Sequence, residues 1–268
     1  MEKSGNVWVS PPHAPFGGIQ CDVGCQESEL VFLLGCIKHW VQSQSGEKLV
    51  VKTAPSCYYT TLDSLRHIPY LITGFIPIQT CLNSFISVSS SDFYAQIRPA
   101  ERRRLKKASN SGFEAGLASG LASSVIYEFL EKCRNQMGYR ISLTLSQLET
   151  LRQNFPDRYL IFTVMAGSEI VALTLTVRAN SRVLYNFLCS DMPAYRAYSP
   201  TVMLMEAVYN YCRQQNIEIL DLGISLDQNG DFKPSLHRFK KNIGGQDCLK
   251  LTYEMNFANQ IPRQFPSL

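Results

Sequence analysis

No stretch of the 268-residue chain approaches the ~18 consecutive apolar residues that a membrane-spanning helix needs. The most apolar segments are Leu30 to Ile37, which is short, and Tyr159 to Val177, which is broken by Ala166-Gly167-Ser168-Glu169. The opening Met1-Glu2-Lys3-Ser4-Gly5-Asn6 lacks the apolar core and small-residue cleavage site of a secretory signal, so the expected location is the cytoplasm, without membrane insertion. Also missing are a Walker loop, a Rossmann glycine fingerprint, a His-Glu-x-x-His pair and a Gly-x-Ser-x-Gly elbow, which leaves kinase, dehydrogenase, zinc-protease and serine-hydrolase readings without support. Charged residues are modest at 18% beside 45% hydrophobic ones, which excludes long disorder and fibrous repeats. Nine cysteines are present but follow no framework spacing. Only Cys21 and Cys25, with His13 or His39, could begin a metal cluster, and no second ligand pair follows at finger-like spacing, so no metal is expected and the thiols read as small buried hydrophobes.

The charge that is there is concentrated. Within a net +4, Arg98 to Lys107 holds six basic residues against Glu101, and Lys233 to Lys241 holds four against none. Two such clusters suit an anionic ligand, and a solvated helix face would read the same way. Nucleic-acid binding through the first cluster is disfavoured, because tyrosine and phenylalanine are not interleaved with it.

The apolar pattern begins with a strand at Val7–Val9, a loop at Ser10 to Gly18, a helix over Glu27–Ser43 and a strand over Lys48–Thr53. A short helix over Thr60–Tyr70 and two extended segments between Gly74 and Ser89 follow, and the polar Ser89 to Asp92 suggests a boundary, giving domains 1–95 and 96–268. Beyond it come helices at Pro99–Ser109, Ser123–Met137 and Ser146–Asn154, the last with Ser146 and Glu149 as a capping box. Strands at Tyr159–Ala166, Ile170–Arg178 and Arg182–Cys189, a helix at Pro200–Gln215 and a strand at Ile217–Leu222 complete an α+β order with one parallel crossover.

The strand to Cys189 leads through Ser190 to Tyr198 into Ser199-Pro200, with Ser199 as the expected N-cap and Pro200 in the first turn. Unpaired N–H groups of Thr201, Val202 and Met203 would then favour an anion, with Arg196 adding a fork. A capped core helix that binds nothing has the same sequence appearance.

Tyr198-Ser199-Pro200, Leu220-Asp221-Leu222-Gly223 and Phe239-Lys240-Lys241-Asn242-Ile243-Gly244-Gly245 together resemble the GNAT superfamily and, within it, the Fem-like branch. The likeness runs from Arg98 to about Tyr253, and the loop from Ser10 to Gly18 is similar to one in the first half of such proteins. It implies an α+β GNAT-like fold of two GNAT-like units, the first abbreviated, with acyl transfer to an amine beside a splayed strand at Tyr185 to Cys189. Lys240 matches the family's signature lysine and would stabilise the oxyanion formed when an amine attacks a thioester or ester carbonyl. For the general base His237, Asp221, Tyr185 and Tyr195 all qualify by type, with His237 preferred. Donor contacts are expected from Cys189, Arg196, Tyr198, Ser199, Thr201 and Val202, and acceptor contacts from His13, Phe16, Gly17, Gly18 and Arg238. The donor itself stays open: acyl-CoA is usual for the family, but Ser190 to Ser199 holds no glycine where the pyrophosphate loop would have several. Aminoacyl-tRNA is the alternative donor, with the coiled-coil arm of several Fem-like enzymes absent. A cell-wall or amino-sugar acceptor fits the branch. A non-catalytic binding protein for an anionic metabolite is the competing reading.

Overall fold

The computed structural model describes residues 1–12, 14–19, 24–59, 67–139 and 141–257. The chain divides into two compact units, Met1–Leu82 with the chain from Cys248 onward, and Asn83–Asp247. The sequence pattern suggests one boundary near 95, whereas the units part at Leu82 and again at Asp247. Strand pairing between residues some two hundred apart hands the last strand to the first unit, and no local pattern carries that information.

In the first unit β1 (Glu2–Ser4) and β2 (Val7–Ser10) form a hairpin with Ser4 opposite Val7, and Gly5 supplies the positive φ of 59° that so tight a turn needs. The chain crosses through α1 (Glu27–Ser43) to β3 (Lys48–Lys52), parallel to β2, and the other edge of β3 takes a long C-terminal strand antiparallel, Lys48 facing Asn256. Helix α1 lays Leu34 and Val41 on Leu49, Val51, Tyr70 and Tyr253. Most of the helix expected over Thr60–Tyr70 lies outside the described residues; the described helix there, α2, is Ile68–Ile72.

The second unit opens within β4 (Ile76–Ser87), which the sequence splits into two segments but the structure keeps whole, with a register shift at Ser84/Phe85. After it come α3 (Phe93–Gln96), α4 (Pro99–Asn110), β5 (Phe113–Leu117), α5 (Ser123–Asn135), α6 (Leu145–Asn154), β6 (Tyr159–Ala166), β7 (Glu169–Arg178) and β8 (Val183–Asp191). Then follow α7 (Pro200–Gln214), β9 (Ile219–Ile224), α8 (Pro234–Asn242) and the long strand β10 (Gln246–Asn256) already met in the first unit. Strands of this unit are ordered β4-β9-β8-β7-β6-β5. β5 to β8 pair antiparallel in succession, and α7 carries the chain to the parallel β9. Six consecutive residues of β7, Val171 to Thr176, are buried, as a strand covered on both faces requires. Val202, Leu204, Met205, Val208 and Tyr209 of α7 pack with Phe162, Leu184 and Leu220, while Ile126 and Leu130 of α5 and Leu148 of α6 pack with Ile161, Leu173 and Leu188. Among the described residues no helix is long and apolar enough to cross a membrane.

One local expectation is corrected. The cap of α6 is Thr144, whose Oγ1 accepts from Gln147 N at 3.2 Å while Gln147 Oε1 accepts from Thr144 N at 2.8 Å. Ser146 lies inside the helix, its carbonyl taking the Thr150 hydroxyl at 2.8 Å. The same four-residue spacing occurs twice, and the earlier pair closes the box. Thr144→Ala is therefore expected to cost about 1 kcal/mol in thermal unfolding, against less than ~0.5 for Ser146→Ala.

In the basic helix α4 three of the basic side chains are engaged within the fold. Arg102 donates to Ile97 O at 3.1 Å and Ala95 O at 2.9 Å, and Lys107 reaches Ala197 O at 2.8 Å above the Tyr198 ring. Arg104 makes two bonds, 2.8 and 3.0 Å, to Glu101, a fully buried carboxylate that also accepts from Asn242 Nδ2 at 3.2 Å.

Candidate functional site

Strands β8 and β9 pair at only three positions, Val183↔Ile219, Leu184↔Leu220 and Tyr185↔Asp221, and then run on unpaired with each other. At the last paired position the buried Asp221 carboxylate accepts from Gly223 N at 2.8 Å and Asn83 Nδ2 at 2.7 Å, so a side chain holds the backbone N–H two residues on. Gly223 then takes a φ of +73°, which an L side chain adopts only under strain.

Between the parted strands lies a cavity of about 990 Å³ lined entirely by the second unit. Tyr185, Cys189 and Ser190 of β8, Gly223 and Ile224 of β9, the first turn of α7, Lys240 of α8 and Arg134 of α5 form its walls. A side chain on Gly223 would meet Tyr185, because its Cβ would sit 3.3 Å from Tyr185 Cε2. Gly223→Ala is expected to destabilise the fold by about 1–2 kcal/mol through its left-handed backbone and to push Tyr185 from the wall, which a thermal melt and a transfer assay would read together.

Lys240 is 5% exposed, and its Nζ donates to Gly223 O at 2.8 Å and Ile224 O at 2.7 Å, the two carbonyls that the splay leaves free. Burial lowers its pKa to about 8, with Asp221 and Asp247 pulling the other way. The glycines that follow explain the spacing of the signature. Gly244 takes a φ of +90°, and any Cβ on Gly245 would lie 2.5 Å from the Lys240 carbonyl, which accepts Gly245 N at 2.9 Å. The chain can leave α8 this tightly only without side chains there.

Tyr185, a candidate base in the sequence, is held as a phenol: burial, reinforced by Asp221, raises its pKa far above neutrality. Burial likewise pushes Cys189 up to about 12, so it lines the cavity as a thiol. Asp221 stands behind the wall in its two hydrogen bonds. His237 Nε2 lies 3.0 Å from Asp247 Oδ1, with Lys241 on the other oxygen at 3.1 Å, and does not line the cavity. Tyr195 gives its hydroxyl to Glu169 at 2.6 Å.

The start of α7 lies in the wall through Ser199, Thr201 and Val202, but not as a capped helix would place it. Ser199 has a φ of +54° and no capping bond; its Oγ reaches only Arg196 O at 3.5 Å. Val202 N turns back to Ser199 O at 3.0 Å, so of the expected free N–H groups Val202 is used, while Thr201 has no acceptor among the described residues. Arg196 lines the cavity, yet its fork is engaged by Asp191 at 3.2 and 3.3 Å, because the 3-10 turn Pro193–Tyr198 folds it over the end of β8. Tyr198 packs on Phe113, outside the wall, and Arg238 is exposed on α8.

The loop expected to contact the acceptor belongs to the first unit. Gly17 donates to Lys52 O at 2.8 Å, Gly18 holds a φ of +90° against Thr53, and the Phe16 ring meets Tyr58 edge-on at 5.1 Å. His13 lies outside the described residues.

Arg134 and Ser190 were missed in the sequence. Arg134 falls four residues after the buried Leu130 on the apolar stripe of α5, and that misplaced charge is the signal that could have found it. Its guanidinium faces Cys189, Tyr139 and Tyr185, and burial lowers its pKa. Ser190 is 3% exposed, lines the cavity, and its Oγ has no partner among the described residues.

Residues 95–241 match the family described as the acetyltransferase (GNAT) domain. Among solved structures, the crystal structure of FemX is similar at 12% identity over 92% of this chain and 82% of that one, with a TM-score of 0.70. The C-terminal domain of a putative lysylphosphatidylglycerol synthetase from Agrobacterium fabrum is similar at 10% identity over 87% and 75%, TM-score 0.62. A tandem GNAT protein from the clavulanic acid biosynthesis pathway is similar at 9% identity over 84% and 69%, TM-score 0.50. At these identities the likeness is one of fold: an α+β GNAT-like architecture of two units. No curated protein matches the chain.

Proposed function

The chain belongs to the acetyltransferase (GNAT) family, and on that premise we propose that it is an N-acyltransferase moving an acyl or aminoacyl group from an activated donor to an amine in the cavity of the second unit. The observation that carries this reading is Lys240, a buried cation held at the mouth of the split between β8 and β9 by two carbonyls. A carbonyl placed there would develop its negative charge beside a fixed ammonium in a water-poor site, where such stabilisation lowers the barrier by several kcal/mol. Tyr185, kept protonated by burial, is the donor suited to the leaving atom.

For the donor, five basic side chains line the cavity, Arg104, Arg134, Arg196, Lys233 and Lys240, against Asp191 and Asp227. That balance favours a phosphate-bearing donor, acyl-CoA first and aminoacyl-tRNA second. The amine belongs to a small molecule, with cell-wall precursors and amino sugars as the first acceptors to try. The test incubates the protein with acetyl-CoA, longer acyl-CoAs and charged tRNA against a panel of amino sugars and amino-terminal peptides, followed by mass spectrometry. Acylated amine that disappears in Lys240→Ala supports the reading; no calorimetric binding of any of these donors sinks it.

A further inference from the structure

We propose that Lys240 is also the proton acceptor of the transfer: its neutral amine takes the proton from the attacking nitrogen and thereby becomes the cation that faces the oxyanion. This rests on the acyltransferase reading and deepens it. Of the four residues that the sequence offers as bases, three are otherwise engaged, His237 on Asp247, Asp221 on Asn83 and Gly223, Tyr195 on Glu169, and burial holds Tyr185 as a phenol. Lys240 combines a place in the cavity wall with geometry suited to either protonation state. A tetrahedral Nζ has three positions besides its carbon, and two are filled by N–H donated to Gly223 O and Ile224 O at 2.8 and 2.7 Å. The third is an N–H in the ammonium and a lone pair in the amine. Deprotonation therefore keeps both carbonyl bonds and costs no rearrangement.

The charges facing this nitrogen come from several elements. Asp221 of β9 and Asp247 at the start of β10 favour the ammonium, but burial outweighs them. Asp247 is itself shared with His237 and Lys241 of α8, and Arg134, Tyr185, Asp227 and Lys233 line the same cavity. With a pKa of about 8, about a tenth of the molecules carry the neutral amine at pH 7, against roughly one in a few thousand for an ordinary lysine. That difference of a few hundredfold is what makes the role available near neutrality.

The proton and electron count closes. As the C–N bond forms, the carbonyl π pair moves onto oxygen and a nitrogen-bound proton passes to Lys240. The carbonyl then re-forms, the bond to the donor's leaving atom breaks with its electron pair, and that atom takes the Tyr185 proton. The proton on Lys240 returns to Tyr185 through solvent, so the net transfer is from amine to leaving group.

The test is competitive labelling of the whole protein with a trace of acetic anhydride across the neutral to alkaline range, reading each lysine-containing peptide by mass. Lys240 is expected to react with a half-point near pH 8, about two units below the exposed lysines at ~10.4. A Lys240 that stays unreactive, or titrates with the surface lysines, overturns the proposal and leaves the transferase reading untouched. Lys240→Arg keeps a cation with no accessible neutral form, so transfer should be lost there; transfer retained at more than about a tenth of the original rate overturns the proposal too. Absence of transfer with every donor class would instead overturn the function and this role together.

Discussion

Lys240→Met is expected to lower kcat/KM for acyl transfer by about 10²–10³ while leaving the melting temperature within a few degrees of the parent. The two halves of that expectation rest on different terms. Removing a positive charge that faces the developing oxyanion forfeits stabilisation realised only in the transition state, so the loss falls on the chemical step. The fold is spared because two large effects offset each other. A pKa lowered from 10.5 to about 8 means that the buried ammonium costs the native state about 3 kcal/mol, a cost methionine removes. Against it stand two lost hydrogen bonds to Gly223 O and Ile224 O, at about 1 kcal/mol each, and a side chain of similar length that refills the space. The same balance fixes the pH dependence of the parent protein. The folded pKa of this lysine lies below its unfolded value, so the native state binds fewer protons between about pH 8 and 10.5, and stability should rise with pH across that window. In Lys240→Met that rise should be missing. An unchanged kcat/KM, or a variant that unfolds at room temperature, would refute the assignment of Lys240 as a buried charge set aside for chemistry.

Much of the second unit is legible in the sequence because its elements obey local rules. The alternation through Tyr159 to Cys189, the Ser-Pro start of α7 and the amphipathic α5 each announce a strand or helix within a few residues of its observed ends. Lys240 is marked in the sequence only by the family resemblance, and its burial behind the glycines at 244 and 245 is visible only in the fold. What stays hidden depends on pairing across distance. Nothing near Thr252 says that it will face Lys52, so the C-terminal strand and the unit it joins cannot be read locally. Protonation is hidden for the same reason. Tyr185 and His237 are equally acceptable bases by residue type, and only the fold shows that one is desolvated beside Asp221 while the other is bound to Asp247 outside the cavity wall. Arg196 makes the point in reverse. The sequence places it beside a helix start where an anion would bind, and it is there, but the anion it has found is Asp191.

The largest stability loss is expected at Asp221, a residue that never enters the cavity. Asp221→Ala removes the acceptor for two buried donors, Gly223 N and Asn83 Nδ2, and takes away one of the charges that balance Lys240. Breaking such a buried constellation by deleting one member costs about 3–5 kcal/mol, or a fall of about 10 °C in a protein of this size. Asp221→Asn keeps a carbonyl oxygen for Gly223 N and should cost roughly half as much, which separates the hydrogen bond from the charge. The charge has its own readout. Asp221 holds the Lys240 pKa up against burial, so in either variant that pKa should fall further, and the pH-linked rise in stability should begin below pH 8. Denaturant unfolding at several pH values would show this as a shift of the rising limb to lower pH. A variant that is destabilised while the limb stays in place would mean that Asp221 shapes the split between β8 and β9 without tuning Lys240. A limb that shifts as expected would make one buried carboxylate responsible for both the opening of the cavity and the protonation of the lysine inside it.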